Sequence, residues 1–294
     1  DAGARIHTDT AIEHIHHTGT HRRRRVAGVT YRNTTGQHRM MADVIVSCAD
    51  RHHTETQLVW DPRSARPKYW QRANPGMSAV LAYLGVEGGL PELAHHSLFF
   101  SADWDADFHA VFPPSDRPDR SAFSQSFYVC RASATDPSVA PEGYENLLLL
   151  IPVPAMHNGI LGSLNHTEDQ ETTAIVDQAV ALIAQRTGIA DLAQRVVVQH
   201  TMATGDFQDM FNAWQGNALG LAHTLEQSAF FRGSNAAKYL GGLYFAGATT
   251  VPGVGLPMCL ISAENIVKRL RNDTTTSPMP TPLQPSTTPA AHNR

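Results

Sequence analysis

The sequence predicts an α/β fold that contains an α+β domain, and three observations carry that prediction. An apolar run at 243–246 leads through a glycine-rich loop into a helix-like segment, which is the strand–loop–helix order of α/β proteins. Residues 4–49 alternate short β-like runs with turn-forming residues. Between these two regions, apolar runs are followed by a helical pattern at 168–186, which indicates antiparallel strands and a helix.

The stretch from residue 243 to residue 270 is the segment around which the chain is organised. It opens with the run at 243–246, which is typical of a strand buried on both faces. A loop rich in glycine and proline follows, and Pro257 suits the first turn of a helix, where its missing N–H costs nothing. Apolar residues then recur at helical spacing: Leu260, Ala263, Val267 and Leu270.

The glycines of this loop predict a place where a ligand can approach the backbone. Gly253 and Gly255 carry no side chain that would keep an anion or a flat ring away, and the following helix presents unpaired N–H groups. The segment lacks the third glycine of a GxGxxG motif. On the local pattern alone, an ordinary strand-to-helix turn with structural glycines stays the alternative.

Length, composition and charge narrow the class of protein. The chain has 294 residues, enough for one large domain or two smaller ones. Its hydrophobic content is 42% and its formal net charge is −4, so nothing indicates a nucleic-acid partner. The basic run at 22–25 is expected to be a solvated hairpin tip, with contact to anionic lipid as the alternative.

Cysteine usage indicates a reducing, cytoplasmic compartment. The three cysteines, Cys48, Cys130 and Cys259, are an odd number without CxxC spacing. No apolar run approaches the ~18 residues of a spanning helix, so we expect any membrane attachment to be peripheral. The chain begins at Asp1, inside what resembles the approach to a strand, and we expect it to be a fragment.

Further strands are expected along the chain, with a tail at its end. In the first region they lie at 4–8, 12–16, 26–31, 38–41 and 44–48, the part at 44–46 being buried. In the middle region they lie at 77–86, 98–100, 127–131 and 147–151. After Asn272 the Thr, Ser and Pro residues predict a disordered tail.

The 16 histidines raise the question of a metal site, and the sequence argues against one. Three adjacent pairs occur, His16–His17, His52–His53 and His95–His96, and adjacent side chains are expected to diverge on a helix or strand. No HExxH motif or Cys/His cluster supports them. We therefore expect structural or surface histidines and no metal.

Several blocks of the sequence resemble one known family. Residues 243–257, LYFAGATTVPGVGLP, are similar to the C-terminal flavin-binding signature of the bacterial and fungal phytoene desaturases. These are FAD-dependent carotenoid dehydrogenases related to the flavin amine oxidases and to the Rab GDP-dissociation inhibitors. Similar blocks also occur at 42–50, 135–143, 151–154 and 204–232, so that the resemblance covers roughly residues 1–271.

Two positions depart from related patterns. Ala248 stands where the amine oxidases usually carry a glutamate, and a small residue there is usual for the desaturases. Gly233 stands where a proline usually follows the arginine at position 232, so the local turn is expected to differ.

The resemblance implies a fold and a division into domains. The fold is the FAD/NAD(P)-binding Rossmann-like type of the flavin amine oxidases and the GDP-dissociation inhibitors, incomplete here, with an inserted α+β substrate domain. Residues 1–59 and 201–271 are expected to form parts of the FAD-binding domain. Residues 60–200 are expected to form the substrate domain, and residues 272–294 the tail.

The resemblance also implies which residues contact the cofactor and the substrate. Ile12 would lie along the adenine, and Ser47 and Ala49 would approach the cofactor from the end of a strand. The other expected cofactor contacts are Gly247, Ala248, Thr249, Gly253, Gly255, Leu256, Pro257 and Met258. The expected substrate contacts are His223, Gln227 and Arg232, with the alternative that they satisfy backbone groups or face solvent. No catalytic residue is assigned.

The implied activity is FAD-dependent dehydrogenation of a long polyene such as phytoene toward lycopene. The flavin would take a hydride from an allylic carbon and a proton would leave the neighbouring carbon, so the protein mainly holds an apolar chain in a dry cavity. The expected partners are a lipophilic carotenoid precursor and the surface of the cell membrane, which a cytoplasmic protein would contact peripherally.

The family's N-terminal βαβ unit, whose GxGxxG motif holds the FAD pyrophosphate, is missing from this sequence. We therefore expect the chain alone to bind FAD poorly and to turn over little. Two alternatives stay open. One is a flavin amine oxidase-like enzyme, and the other is a non-catalytic lipid-binding or degenerate half of the fold.

Overall fold

The computed structural model describes residues 3–20, 23–113, 123–155, 160–164 and 169–279. They form two units, one made of the chain up to Ala73 and from His223 onward, the other of Asn74–Ala222. The predicted divisions fell at 59/60 and 200/201, and the observed ones come later. Leu58 and Val59 belong to the core of the first unit, and a strand at 196–202 pairs within the second.

Ten strands and eight α-helices lie in the described residues. The strands are β1 (Ala11–Thr18), β2 (Arg25–Asn33), β3 (Gly36–Met41), β4 (Ile45–Ser47), β5 (Met77–Glu87), β6 (His96–Phe99), β7 (Phe127–Cys130), β8 (Tyr144–Pro154), β9 (Val196–Met202) and β10 (Leu243–Phe245). The helices are α1 (Arg51–His53), α2 (Pro62–Ala65), α3 (Pro67–Trp70), α4 (Trp104–Val111), α5 (Gln170–Thr187), α6 (Leu192–Arg195), α7 (Thr204–Phe211) and α8 (Leu256–Leu270).

The first unit begins with a three-stranded antiparallel sheet in the order β1–β2–β3. The predicted strands at 12–16, 26–31 and 38–41 are thereby confirmed. The predicted strand at 4–8 is wrong, because no described strand pairs with that segment. Its backbone groups form no inter-strand hydrogen bonds with the described strands, and the Ile6 side chain is 89% exposed.

The second sheet of this unit is a parallel pair formed by β4 and β10. Leu243 and Phe245 are each 2% exposed and belong to the hydrophobic core of the unit. Tyr244 is only half-buried, and Val46 is 43% exposed. The expectation that the run at 243–246 is buried on both faces is wrong, and so is the expectation that residues 44–46 are buried, because side chains alternate along a strand and the core covers one face of this pair.

Short helical segments follow β4, and α8 follows the glycine loop. A π-helical turn at Thr54–Leu58 connects α1 to the loop before α2. Further along the chain, 3₁₀ turns occur at Leu225–Gln227 and Ala229–Phe231. Pro257 lies in the first turn of α8, so the predicted strand–loop–helix order is confirmed.

The basic run lies at the predicted hairpin, between β1 and β2, but it is not simply solvated. Arg24 forms an ion pair with Asp61, with a nitrogen–oxygen distance of 2.5 Å and an Asp61 side chain that is 4% exposed. Burial alone would raise the pKa of Asp61, but hydrogen bonds from Arg24 and from the Arg63 N–H lower it below its usual value. The expectation of a solvated tip is wrong for Arg24, and Arg22 lies outside the described residues.

The second unit contains a five-stranded antiparallel sheet in the order β6–β7–β8–β5–β9. β5 and β8 pair along their whole length, from Met77 opposite Pro154 to Glu87 opposite Tyr144. One face of the sheet carries a continuous core that includes Val80, Leu84, Leu149 and Ile151. The predicted α+β architecture of this region is therefore observed, together with an unpredicted strand, β9.

Helix α5 covers the core face of this sheet. Asp169 caps it by accepting a hydrogen bond from the Thr172 N–H at 2.6 Å, and Gly188 ends it with a φ of 82°. Ile175, Val176 and Ile183 are buried in the same core as the sheet. The predicted helix at 168–186 is confirmed in the described residues.

No described helix combines the length and the apolar character that crossing a bilayer requires. The predicted disordered tail lies outside the described residues from position 280 onward.

Replacing Leu149 with alanine tests the core of the second unit. Leu149 is 0% exposed, so Leu149→Ala should lower the free energy of unfolding by about 2–5 kcal/mol. The matched control is Leu98→Ala, which should change it by less than about 0.5 kcal/mol because Leu98 is 63% exposed. Urea unfolding followed by circular dichroism measures both. Equal losses for the two variants would contradict the packing described here.

Candidate functional site

Two parallel strands end side by side at one edge of the first unit. Phe245 of β10 is paired with Ser47 of β4, and the Ala246 N–H donates to the Ser47 carbonyl at 3.0 Å. The glycine loop and the segment at 47–49 therefore leave the sheet together. The carboxyl ends of neighbouring parallel strands are where α/β sheets bind ligands.

The segment after β4 has one anchored and one exposed residue. The Ser47 hydroxyl shares a hydrogen bond of 2.7 Å with the Thr54 hydroxyl, and both side chains are buried. Ala49 is exposed beyond the strand end. Ile12, in contrast, lies on the antiparallel sheet, opposite Tyr31 in β2, with a side chain that is 41% exposed.

Two of the three predicted loop glycines border open space. Gly247 and Gly255 have φ values of 108° and 109°, and a Cβ built on either would have no atom within 4 Å. Gly253 differs, because a Cβ there would lie 3.2 Å from Nε2 of His223. Gly247 and Gly255 therefore leave room for a ligand, whereas Gly253 leaves room for a side chain of the protein itself.

The N-terminus of α8 is an exposed set of hydrogen-bond donors. Gly255 is its N-cap residue and supplies no side-chain cap, and the first turn contains no acidic residue. Leu256 is 84% exposed, Pro257 is exposed, and Met258 is half-buried. The uncapped N–H groups and the positive end of the helix dipole favour an electron-rich ligand.

A buried polar cluster fixes the loop between β10 and α8. Asn235, Thr250 and Ser262 are all 0% exposed. The Asn235 amide nitrogen lies within hydrogen-bond distance of three acceptors that share its two N–H groups: the carbonyls of Phe245 at 3.1 Å and Val251 at 3.2 Å, and the Ser262 hydroxyl at 2.9 Å. The Thr250 hydroxyl lies 3.0 Å from that of Ser262. These bonds hold both ends of the loop in one conformation, and sequence reasoning missed all three residues.

Arg232 holds the loop from a second side. Its side chain is buried, and its Nε donates to the Ala248 carbonyl at 2.8 Å while NH1 donates to the Gln227 carbonyl at 3.2 Å. Burial lowers the pKa of Arg232, and in the described part of the chain no carboxylate pairs with it. Arg232 thus contacts Gln227 through the Gln227 backbone carbonyl, which agrees with the alternative that these side chains satisfy backbone groups. Contact of Arg232 or Gln227 with the substrate stays a prediction.

His223 lies beside the same loop. Its Nε2 and the Nε of Arg232 approach the position of a Gly253 Cβ to 3.2 Å and 4.0 Å, so three predicted site residues come together. Burial, and then the positive charge of Arg232, lower the pKa of His223. The lowered pKa favours the neutral imidazole, which can donate or accept a hydrogen bond, and the part of the residue that is not covered by Arg232 and the loop faces solvent.

A buried ion-pair network ties the helical segments after β4 to this region. Glu55, 4% exposed, accepts from Arg51 Nε at 2.8 Å, Arg66 Nε at 2.9 Å and Trp70 Nε1 at 3.1 Å. Arg51 also donates to the Ser234 carbonyl at 3.0 Å. The four-residue spacing of Arg51 and Glu55 was the sequence signal that could have found this network.

Chemically, the loop is a binding element. Residues 247–258 contain no ionisable side chain, so this stretch can hold a ligand but cannot itself transfer a proton. Its half-buried residues Ala248 and Thr249 line the turn between the strand end and the helix.

Comparison with known proteins identifies the relatives of this chain. No family model matches it. The carotenoid 3,4-desaturase of Haloarcula japonica is 38% identical over 275 residues, which cover 93% of this chain and 51% of that protein. This chain is therefore a homologue of the carotenoid and phytoene desaturases. The zeta-carotene-forming phytoene desaturase of Myxococcus xanthus is 31% identical over 92% of this chain and 48% of its own length.

The predicted resemblance to the desaturases is thereby confirmed, and the chain spans about half the length of the curated relatives it matches. Among solved structures, an oxidoreductase from Methanosarcina mazei covers 90% of the chain and 50% of its own length at 14% identity, with a TM-score of 0.48. A score at this level does not establish a shared fold. The α/β class rests on the strand pairing and helices of this desaturase homologue itself.

Gly233 offers a test of the network around the loop. A Cβ at Gly233 would lie 2.0 Å from NH1 of Arg51 and 3.1 Å from the Thr249 carbonyl oxygen. Gly233→Ala should therefore lower the free energy of unfolding by about 1–3 kcal/mol through overpacking. The control is Gly89→Ala, where nothing lies within 4 Å of the added Cβ, so stability should be unchanged or raised by about 0.4–1 kcal/mol.

Thermal or urea unfolding of the two glycine variants separates the outcomes. A Gly233→Ala variant as stable as the parent protein would show that Arg51 is not packed against this turn.

Proposed function

We propose that this chain forms the C-terminal part of an FAD-dependent desaturase that dehydrogenates phytoene or a related carotenoid precursor toward lycopene. The observation that carries the proposal is the open glycine loop at the paired ends of β4 and β10, in a chain homologous to desaturases over 93% of its length. The relatives are about twice as long, and we propose that activity needs a further dinucleotide-binding segment.

The loop fits a flavin cofactor on three counts. Gly247 and Gly255 leave space for a flat ring, the exposed start of α8 supplies N–H donors, and the buried cluster keeps the loop rigid. The residues that would hold FAD are Ser47, Ala49, Gly247, Ala248, Thr249, Gly255, Leu256, Pro257 and Met258, with Ile12 against the adenine. Gly253, also predicted as a cofactor contact, instead makes room for His223.

When bound, FAD would supply the hydride acceptor for an allylic C–H bond, while a proton leaves the neighbouring carbon. The chain's own contribution is to bind, orient and exclude water. His223, whose lowered pKa favours the neutral imidazole, is proposed to contact the flavin or the substrate from beside Gly253. Arg232 is proposed to act by fixing the Ala248 carbonyl, and Gln227 by supporting Arg232.

The apolar outer face of the five-stranded sheet is evidence in favour of a lipophilic substrate. Opposite the core face, the central strands carry Leu81, Tyr83, Leu148 and Leu150, which are half-buried or exposed. Leu81 lies opposite Leu150 and Tyr83 opposite Leu148, so the four form one contiguous apolar surface. We propose that this surface lines the site for the carotenoid precursor.

Reconstitution with a relative's N-terminal half tests the proposed activity. The chain alone should bind FAD poorly and turn over little. Mixed with the N-terminal half of the Haloarcula japonica carotenoid 3,4-desaturase, it should bind FAD and desaturate phytoene, seen as red-shifted absorbance when conjugation lengthens. Tight, stoichiometric FAD binding by the chain alone would refute the dependence on a further segment.

Gly255→Val locates the flavin in this experiment. The variant places a side chain in the open space at a φ of 109°, so FAD affinity of the reconstituted protein should fall at least about tenfold. Gly89→Ala in the other unit should leave the affinity unchanged. Retained folding by circular dichroism is required of both variants, and unchanged affinity in Gly255→Val would place the flavin elsewhere.

The same assay separates the two alternatives. Carotenoid binding with FAD bound but no desaturation would favour a non-catalytic lipid-binding protein. Amine-dependent formation of hydrogen peroxide would favour an amine oxidase-like enzyme.

We also propose that the protein is cytoplasmic and associates peripherally with the cell membrane, from which it would take its substrate. A short surface patch supports this: Leu225, Phe230 and Phe231 are 89%, 98% and 73% exposed. Three large apolar side chains within seven residues are typical of a surface that contacts another apolar phase.

Liposome flotation tests this patch. Replacing both Phe230 and Phe231 with serine should lower the bound fraction by about tenfold, because two large apolar side chains no longer enter the bilayer. Trp60→Ser is the matched control, since Trp60 is also largely exposed, at 74%, but lies outside the patch. Equal binding of the parent protein and the double variant would contradict the proposal.

A further inference from the structure

Three side chains with metal-binding atoms meet at the edge of the five-stranded sheet. A ring nitrogen of His95, a ring nitrogen of His96 and the Cys130 Sγ all lie within 4.8 Å of one another. His96 in β6 is directly opposite Cys130 in β7, and the His95 carbonyl accepts from the Arg131 N–H at 2.8 Å. The strand pairing therefore sets the positions of all three groups.

The two histidine rings do not diverge, contrary to the sequence-based expectation. Their centroids are 4.2 Å apart with the ring planes at 44°. That expectation is wrong for this pair because His95 precedes β6 and does not share the strand's side-chain alternation. Two imidazoles and a thiol therefore lie close together, and no motif in the sequence indicates this cluster.

Both rings are already oriented by hydroxyl groups. His95 Nδ1 lies 2.7 Å from the Thr135 hydroxyl, and His96 Nδ1 lies 2.6 Å from the Tyr128 hydroxyl. Metal-binding histidines typically hold their second ring nitrogen on an oxygen partner in this way, which fixes the tautomer and the ring orientation.

We propose that His95, His96 and Cys130 bind one Zn²⁺ ion, which connects β6 to β7 and keeps one coordination position open. Imidazole and thiolate are ligands that zinc prefers, and three of them with a water complete a tetrahedron. In such a site the ligand atoms lie about 3.3–3.8 Å apart. Atoms that are within 4.8 Å of one another need to close by only about 1 Å, which side-chain rotation supplies.

The site is accessible and built on a strand pair. His96 is exposed, while His95 and Cys130 are half-buried, so an ion can enter from solvent and then lose most of its water. Among the strands of the described residues, β6 is the outermost of this sheet and pairs over four residues with β7 alone. A cation held across this pair would fasten an edge strand that otherwise has a short hydrogen-bond ladder.

Titration of the full 294-residue chain with Co²⁺ as a spectroscopic probe tests the proposal. One Co²⁺ should bind per chain with a thiolate-to-cobalt charge-transfer band in the near ultraviolet, and Zn²⁺ should displace it. Cys130→Ser should abolish the band because the thiolate is gone. His96→Ala should weaken binding at least about tenfold, and Thr135→Val should weaken it by about 10- to 100-fold by releasing the His95 ring.

Matched controls separate this site from adventitious binding. Cys48→Ser removes an exposed thiol elsewhere and His109→Ala removes an exposed imidazole on α4, and both should bind Co²⁺ as the parent protein does. Circular dichroism checks that each variant is folded. The absence of one-to-one binding in the parent protein, survival of the charge-transfer band in Cys130→Ser, or equal losses in His96→Ala and His109→Ala would each overturn the proposal.

Discussion

The conformation of the glycine loop depends on the buried amide of Asn235. From one position this side chain reaches the end of β10, the carbonyl of Val251 and the hydroxyl of Ser262 on α8. Inside an apolar core, a polar group left without its partner costs about 1–3 kcal/mol, so alternative loop conformations are disfavoured. The Asn235 side chain therefore ties the loop that contains Gly247 and Gly255 to β10 on one side and to α8 on the other.

Positive electrostatic potential surrounds this loop from two independent sources. The buried guanidinium of Arg232 donates to the Ala248 carbonyl, while the uncapped N-terminus of α8 points its N–H groups outward. Arg51, also buried, has its charge balanced by Glu55, whereas Arg232 meets only carbonyl oxygens among the described residues. A site of this kind favours an electron-rich ligand and disfavours a cation.

The sequence could predict the parts of the fold that are local. The strand, loop and helix at 243–270 follow from short-range periodicity, glycine chemistry and the position of Pro257. It could not predict the hydrogen bond from Arg51 to the Ser234 carbonyl, because the two residues are 183 positions apart and neither segment has a local pattern that indicates its partner. Separation along the chain, here 27 residues, also hid the Asn235–Ser262 contact. The ring contact of the neighbouring residues His95 and His96 was missed for another reason, because its geometry depends on where β6 begins. The strands at 44–46 and 243–245 showed apolar runs but not which face the core would cover.

The positions of the ionisable side chains determine which parts of the site can only bind a ligand and which can also transfer a proton. Residues 247–258 carry none, so protonation at this loop cannot change with pH. His223 is the exception at its border, and there a proton would add a positive charge beside Arg232 in a partly desolvated place. Since its pKa is lowered in the folded protein, its contribution to stability is fully present above the unfolded-state pKa, near 6.5, and is lost as the pH falls from there through the lower folded-state pKa. The loop itself therefore carries no titrating side chain, and the lowered pKa of His223 favours a neutral imidazole beside the charged Arg232.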